Sequence, residues 1–454
     1  MNDFAKLKSN KSLRNRHLKA IHIKTGKHIA LTLVASIAIS NGSVVWAQEN
    51  TSSEESTSQS GYDDIAGIGG PTDVAAELEE NDRDRDSIYE FDTLQRNLAP
   101  YFNWKRGLNE KYGLSFGASA YLLYQQADSS PGEDNALSII FRQQGSWNLT
   151  GRGSGSPGSL QWRFESRSNV GGFIAPGQLG GELGVATLAP GFAYSHNFDF
   201  DLAIINWTQG FNDKTAGFAA GRLGFDVYLD AFPFQTFSRG FINRAFILNP
   251  SMGTTGIGAL GAVVKGFVTD NIWLGAQAHD ANAASGKFDF DTVGEGEWLK
   301  GIEIGWTPGI ASYKTQRVQF TYWEKDARAL AGTTRGSGWV VSAAYQMNDT
   351  YFPFVRFGHS DGGAGVAAES AFSAGVQISQ SETDIWSIGA GWAKPSERTF
   401  GPGLDNETVL ETSYQFRLSK NFTLTPDVQV IFNPANNPGK SSVWVVGIRG
   451  ILTL

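Results

Sequence analysis

From about residue 114 to the C-terminus, apolar and polar side chains alternate at almost every step. A period of two sends successive side chains to opposite faces of a β-strand. Leu160, Trp162 and Phe164 alternate with Gln161, Arg163, Glu165 and Arg167. Val318, Phe320 and Tyr322 alternate with Arg317, Gln319 and Thr321, and Leu410, Tyr414 and Phe416 with Glu411, Ser413 and Gln415. The pattern predicts sixteen strands, near 114–126, 138–149, 159–169, 198–210, 216–227, 258–268, 272–279, 297–306, 316–325, 338–347, 351–359, 371–379, 384–393, 407–418, 422–432 and 443–454. The connections fall into two alternating classes. Those at 150–158, 211–215, 269–271, 307–315, 348–350, 380–383 and 419–421 have at most nine residues, and the others have at least ten.

Physics narrows what such strands can build. In lipid every backbone N–H and C=O must be paired, so only helices and closed barrels span. Short turns at one end and long loops at the other fit a transmembrane antiparallel β-barrel, with the strand region starting and ending on the short-turn, periplasmic side. A soluble sandwich shares the periodicity but not the two loop classes. The last strand puts Trp444, Val446, Ile448, Leu452 and Leu454 on one face, a pattern expected to engage the barrel-assembly machinery. The expected fold class is all-β, a barrel of about sixteen strands behind a short acidic N-terminal segment.

The first 47 residues read differently. Eight Lys and Arg precede an apolar run of 11 residues, Ile29 to Ile39, followed by Val45-Trp46-Ala47. That is the layout of a secretory signal peptide, with the expected cut after Ala47. The run is too short for a bilayer, which takes about 20 residues. Residues 48–92 hold 14 acidic and 2 basic residues, net −12, and are expected to be a largely disordered or short-helical periplasmic leader, with a helix near Val74–Glu80. The barrel is expected over 93–454, in the outer membrane of a Gram-negative cell. A chain net charge of −8 therefore hides +7 in the signal and about −3 in the barrel region. With no cysteine, disulfides and thiolate metal sites are excluded. Mean hydropathy of −0.24 suits two faces of opposite character.

The polar face carries the candidate chemistry. Arg142, Arg163, Arg167, Arg222, Arg317, Arg356, Arg417 and Arg449 are assigned to it, matched by Glu165, Glu303, Glu324, Glu411 and Asp427, with Gln429 beside them. Guanidinium donors and carboxylate acceptors together can bind adjacent sugar hydroxyls. Trp207, Trp323 or Tyr121 would cover a sugar's C–H face. Loops 170–197 and 228–257 are candidates to narrow the pore. The second holds Phe232, Phe234, Phe237, Arg239, Phe241, Asn243, Arg244 and Phe246, and either lines a constriction or caps the mouth. Catalysis is not expected: there is no G-x-S-x-G motif, and His196, His279 and His359 fall at loop or strand ends. No cofactor, metal or nucleic-acid partner is implied.

Several short motifs resemble the OprB-type carbohydrate-selective porins. They are Glu411-Thr-Ser-Tyr414, Leu424-Thr-Pro426-Asp427-Val-Gln429, Asn433-Pro434 and Gly447-Ile-Arg449, with Gly221-Arg222, Asp230, Phe241-Ile-Asn243, Asn249-Pro250 and Asp280-Ala-Asn282 upstream. The resemblance covers about 90–454. It implies a sixteen-stranded barrel, acting as a monomer rather than a trimer, that passes small neutral carbohydrates by diffusion through an Arg/Glu eyelet. Residues Arg163, Glu165 and Arg167, with Arg142, match that eyelet. The acidic leader and the missing terminal Phe depart from the family pattern. Two other functions share the same features: a structural or adhesive barrel linking to envelope polymers, and a general small-solute or anion channel.

Overall fold

The computed structural model describes residues 68–83, 85–195, 198–285, 290–381 and 383–454. The expected signal peptide, its cut after Ala47 and the leader up to residue 67 lie outside the described residues. Sixteen described strands form one closed antiparallel sheet in which each strand pairs with its sequence neighbours and the last returns to the first. They are β1 (Leu114–Ala127), β2 (Asn135–Thr150), β3 (Gly158–Asn169), β4 (Phe198–Phe211), β5 (Ala216–Leu223), β6 (Ala259–Phe267), β7 (Ile272–Asp280) and β8 (Trp298–Trp306). The second half comprises β9 (Gln316–Lys325), β10 (Gly336–Tyr345), β11 (Tyr351–Ser360), β12 (Ala368–Ser379), β13 (Asp384–Pro395), β14 (Glu407–Ser419), β15 (Phe422–Phe432) and β16 (Ser442–Thr453). The seam joins β1 to β16 from Ser119↔Thr453 to Ala127↔Val445. Closure leaves no strand edge unpaired, which lipid demands.

Burial follows the period of two. On β3, Gln161, Arg163, Glu165 and Arg167 are buried inside, while Leu160, Trp162 and Phe164 are partly exposed on the outside. Large apolar side chains exposed on the outer face, such as Val264, Ile302, Leu274, Ile304 and Val446, form the lipid-facing belt. Two assigned residues are corrected by the same alternation. Trp207 pairs with Leu160 and lies between the inward Asn206 and Thr208, so it faces lipid rather than the lumen. Glu324 lies between the inward Trp323 and Lys325, faces outward and pairs with Arg335 at 2.6 Å.

Two helices precede the barrel. In α1 (Val74–Asp82), Asp73 caps the N-terminus by accepting from the Ala75 N–H at 3.1 Å. The longer α2 (Asp92–Tyr112) ends where Gly113 takes φ 68°, a left-handed cap that lets the chain turn straight into β1. Strand β5 ends at Leu223, earlier than its sequence pattern suggests, because the chain turns into the lumen through a 3₁₀ turn at Phe225–Val227. The connections 170–195 and 224–258 both fold inward, the first carrying α3 (Pro176–Leu183). Leu179, Leu183, Leu188, Phe232, Phe234, Phe241 and Phe246 from these loops pack with Phe354, Val409, Ile431 and Val443 of the wall. Full burial of each such Phe or Leu contributes about 1.5–3 kcal/mol, so this cluster keeps both loops inside.

Candidate functional site

The inner wall of β2 and β3 carries a ladder of charge. Glu165 takes the Arg142 Nε at 2.5 Å on one oxygen and the Arg167 Nε at 2.5 Å on the other. Arg163 donates its Nε to Gln144 at 2.7 Å. These side chains meet because Arg142 is the register partner of Glu165 across the strand pair, while Arg163, Glu165 and Arg167 are two apart on one strand. The four residues assigned to an eyelet are thus together on one patch of wall.

A fifth charge joins them from outside the barrel strands. Glu77, one turn into α1, accepts from the Arg163 Nη2 at 2.8 Å, from the Arg142 Nη1 at 3.2 Å and from the Tyr121 hydroxyl at 2.6 Å. Asp73 of the same segment receives the Gln161 side chain at 3.3 Å and the Tyr228 hydroxyl at 3.2 Å. Ile68 packs with Ala219, Leu223 and Tyr228, and Val74 and Leu78 pack on Ala203 and Ile204. Part of the acidic leader therefore lies inside the barrel, against the ladder. Burial alone would raise the Glu77 carboxyl, but Arg142 and Arg163 outweigh it and hold the group below its ordinary value.

Loop 224–258 faces the ladder with its tip. Phe237 lies under the guanidinium of Arg142 at 4.4 Å and of Arg167 at 5.4 Å, and its ring meets Tyr121 and Tyr194 at about 6 Å. Arg239 points toward Glu80 of α1, 4.0 Å away, with its side chain 40% exposed. Gly240 turns there with φ 72° and offers its carbonyl to the Arg449 Nη2 at 2.9 Å. The other loop residues look to the wall. Phe241 stacks on Phe246 at 4.5 Å and packs against Phe354. Asn243 donates to the Leu188 carbonyl and to Gln429, at 2.8 and 2.9 Å. Arg244 sits over the Phe192 ring at 4.4 Å, and burial brings its guanidinium down to about 10.

The remaining assigned residues hold parts of the lumen in place. Glu411 accepts the backbone N–H groups of Ile242 and Asn243 at 2.6 and 2.9 Å. Gln429 donates to the Pro190 carbonyl and to Asp427, at 3.0 and 2.9 Å, so it touches both long loops and the wall. Arg222 donates to the Ala203 and Ala284 carbonyls, both at 3.0 Å. Arg317 lies over the Tyr313 ring at 4.9 Å, far along the wall from the β2–β3 ladder in strand order.

Sequence reasoning missed three groups. Glu77 is one. Glu407 is the second: it accepts from Ala186, Thr187 and Leu188 of one loop and from Ala435 of another, at 2.7, 2.8, 3.2 and 2.9 Å. The third is the role of Asp230, named above only within a family motif: from the loop it pairs with Arg356 and Ser342 on the wall.

Similarity to known proteins agrees with this architecture. Residues 354–454 match the carbohydrate-selective porin, OprB family. Porin AaxA of Chlamydia felis (strain Fe/C-56) is 25% identical over 217 residues, 46% of this chain and 48% of that protein. Porin AaxA of Chlamydia abortus (strain DSM 27085 / S26/3) is 23% identical over 216 residues, with the same shares. The chain thus spans about half the length of these relatives. The high-pH structure of Pseudomonas putida OprB superposes with a TM-score of 0.62 at 14% identity, covering 78% of this chain and 97% of that one. At that identity the likeness is one of fold. The family match at the C-terminal end and the closed sixteen-stranded barrel agree with each other.

Proposed function

We propose that the protein is an outer-membrane porin that passes small neutral sugars, such as monosaccharides and polyols, through a constriction between the β2–β3 ladder and loop 224–258. One observation carries the reading: the cluster of Arg142, Arg163, Glu165, Arg167 and Glu77 on the inner wall meets the Phe237 ring at the loop tip, while Arg239 beside it turns to Glu80 of α1. Guanidinium donors, carboxylate acceptors and an apolar ring gathered there suit a solute that has hydroxyls and C–H faces. Trp273, Trp323 and Tyr194 are also inside the barrel but fully buried, so they offer a solute no surface. Support also comes from the porin family matched at the C-terminus and from the barrel likeness. Three guanidinium groups against two carboxylates give the ladder a net positive charge, so the same passage favours anions weakly. The export signal at 1–47 and a monomeric state belong to this proposal as well.

Liposome swelling tests it. Vesicles containing the purified barrel should swell in isosmotic glucose and swell more slowly as sugar size rises. Failure to swell with any sugar smaller than a disaccharide would sink the sugar reading. Ion conductance without swelling would favour the anion channel, and neither activity would favour a structural barrel.

A further inference from the structure

Helix α2 is amphipathic. Leu94, Leu98 and Tyr101, then Leu108 and Tyr112 two turns on, fall on one side, with Trp104 at its margin. The barrel covers only part of that side. Lys105 reaches inward to Asp82 at 2.6 Å and Asn109 to Ser115 at 2.5 Å, both side chains buried. Leu94, Trp104 and Tyr112 stay 40%, 55% and 50% exposed. Large apolar surface left in water is disfavoured.

Position decides what covers it. The helix leads directly into β1, so it sits at the short-turn end of the barrel. The Trp104 ring meets the Phe116 ring edge-on at 5.5 Å. Phe116 lies between the inward Ser115 and Gly117, so it belongs to the lipid-facing surface. Trp147, on the lipid face of β2, donates its indole N–H to the Tyr112 carbonyl at 3.2 Å. The apolar side of α2 is therefore continuous with the lipid belt of the barrel. The helix cannot swing away, because Ile88 and Tyr89 just before it donate to the Arg417 and Leu418 carbonyls of β14 at 3.0 Å. Arg96, Arg106 and Lys111 add exposed basic charge, and Asn103 and Glu110 mark the opposite, polar side.

We propose that α2 is an interfacial helix whose apolar side rests on the periplasmic phospholipid leaflet beside β1 and β2. Trp and Tyr favour that depth of a bilayer, and a helix with one apolar and one basic or polar side lies flat in it. The proposal rests on the barrel spanning a membrane, not on the solute it passes.

The chain has no cysteine, so single labels are unambiguous. An environment-sensitive fluorophore is placed in turn at Leu94→Cys, Trp104→Cys, Asn103→Cys, Glu110→Cys and Ile302→Cys. The last lies on the outer face of β8 and reports whether the barrel itself is in lipid. Proteins are reconstituted in phosphatidylethanolamine–phosphatidylglycerol nanodiscs, and heat-shifted gel mobility verifies that each is folded. Labels at 94 and 104 should shift to the blue, lose emission to lipid-borne quenchers and resist iodide; those at 103 and 110 should behave oppositely. If 302 is quenched by lipid while 94 and 104 yield only to iodide, the proposal is overturned. Protection of 94 and 104 from both quenchers, with the unlabelled cysteine variants forming disulfides between copies under an oxidant, would overturn it in favour of a chain–chain interface. If 302 is not quenched by lipid, the spanning barrel fails instead.

Discussion

Glu77→Gln isolates the electrostatic part played by the leader. The isosteric change removes one of two carboxylates facing Arg142, Arg163 and Arg167. Breaking a buried pair from one side costs about 3–5 kcal/mol; glutamine keeps one acceptor, which serves either Tyr121 or Arg163, since these bind different oxygens of Glu77. Against this, Ile68, Val74 and Leu78 are almost fully buried, and three such side chains contribute about 4.5–9 kcal/mol. Helix α1 therefore stays docked, and the variant changes charge rather than shape. For an ion passing at about 8 Å in water, one elementary charge is worth about 0.5 kcal/mol. Unscreened, that raises the anion-to-cation ratio about sixfold. Screening leaves about fourfold at 10 mM salt and about twofold at 100 mM. Reversal potentials across a planar bilayer under a salt gradient measure the ratio. An unchanged reversal potential at both salt concentrations would show that Glu77 does not face the conducting path and would refute the reasoning.

Other outcomes follow from the same geometry. Glu411→Ala strips the acceptor from the Ile242 and Asn243 N–H groups, at about 1–3 kcal/mol for each left unpaired; single-channel currents should become noisier and disaccharide swelling faster, and quiet, unaltered currents would mean that the loop is held without it. Arg163→Ala with Arg167→Ala should alter glucose flux and ion preference, whereas Trp207→Ala, on the lipid face, should leave both unchanged in the same swelling and bilayer assays. Lys265→Met leaves Glu303 buried without the cation it pairs with at 2.8 Å; a loss of about 3–5 kcal/mol is expected, read as a lower urea midpoint. Because Glu77 is held below its ordinary value of 4.5, its contribution to docking is present above that value and is lost as pH falls through the depressed one. The part of the conductance that Glu77→Gln alters should therefore hold steady from neutral pH down to 4.5 and change only in stronger acid, and an earlier change that Glu77→Gln abolishes would contradict the assignment.

The barrel was legible because its cause is local. Alternation in Leu160–Arg167 or Val318–Thr321 fixes which side chains point inward without knowledge of any partner. Trp207 went wrong where chemical appeal, an aromatic for a sugar, displaced that rule: Asn206 and Thr208 already claim the inward positions. The aromatic richness of loop 224–258 indicated burial but not its location. Only the wall residues Phe354, Val409 and Ile431 settle that it packs inside. Glu77 was beyond reach for a different reason. It lies 65 and 86 residues from the arginines it binds, within a segment whose composition resembles a disordered tail. Nothing periodic marks a contact of that range. Glu407 likewise binds 220 residues away, through backbone groups that carry no sequence signature.

Both long loops are held by carboxylates that grip main-chain N–H groups: Glu411 at 242–243 and Glu407 at 186–188. A main-chain amide is the same in almost every residue type. Side chains at the loop tip, Phe237 and Arg239 among them, can therefore be exchanged without loosening those clamps. On the proposed function, the barrel separates the part that fixes the aperture's position from the part that sets its chemistry, so new solute preferences are open to it by point substitution at an unchanged frame.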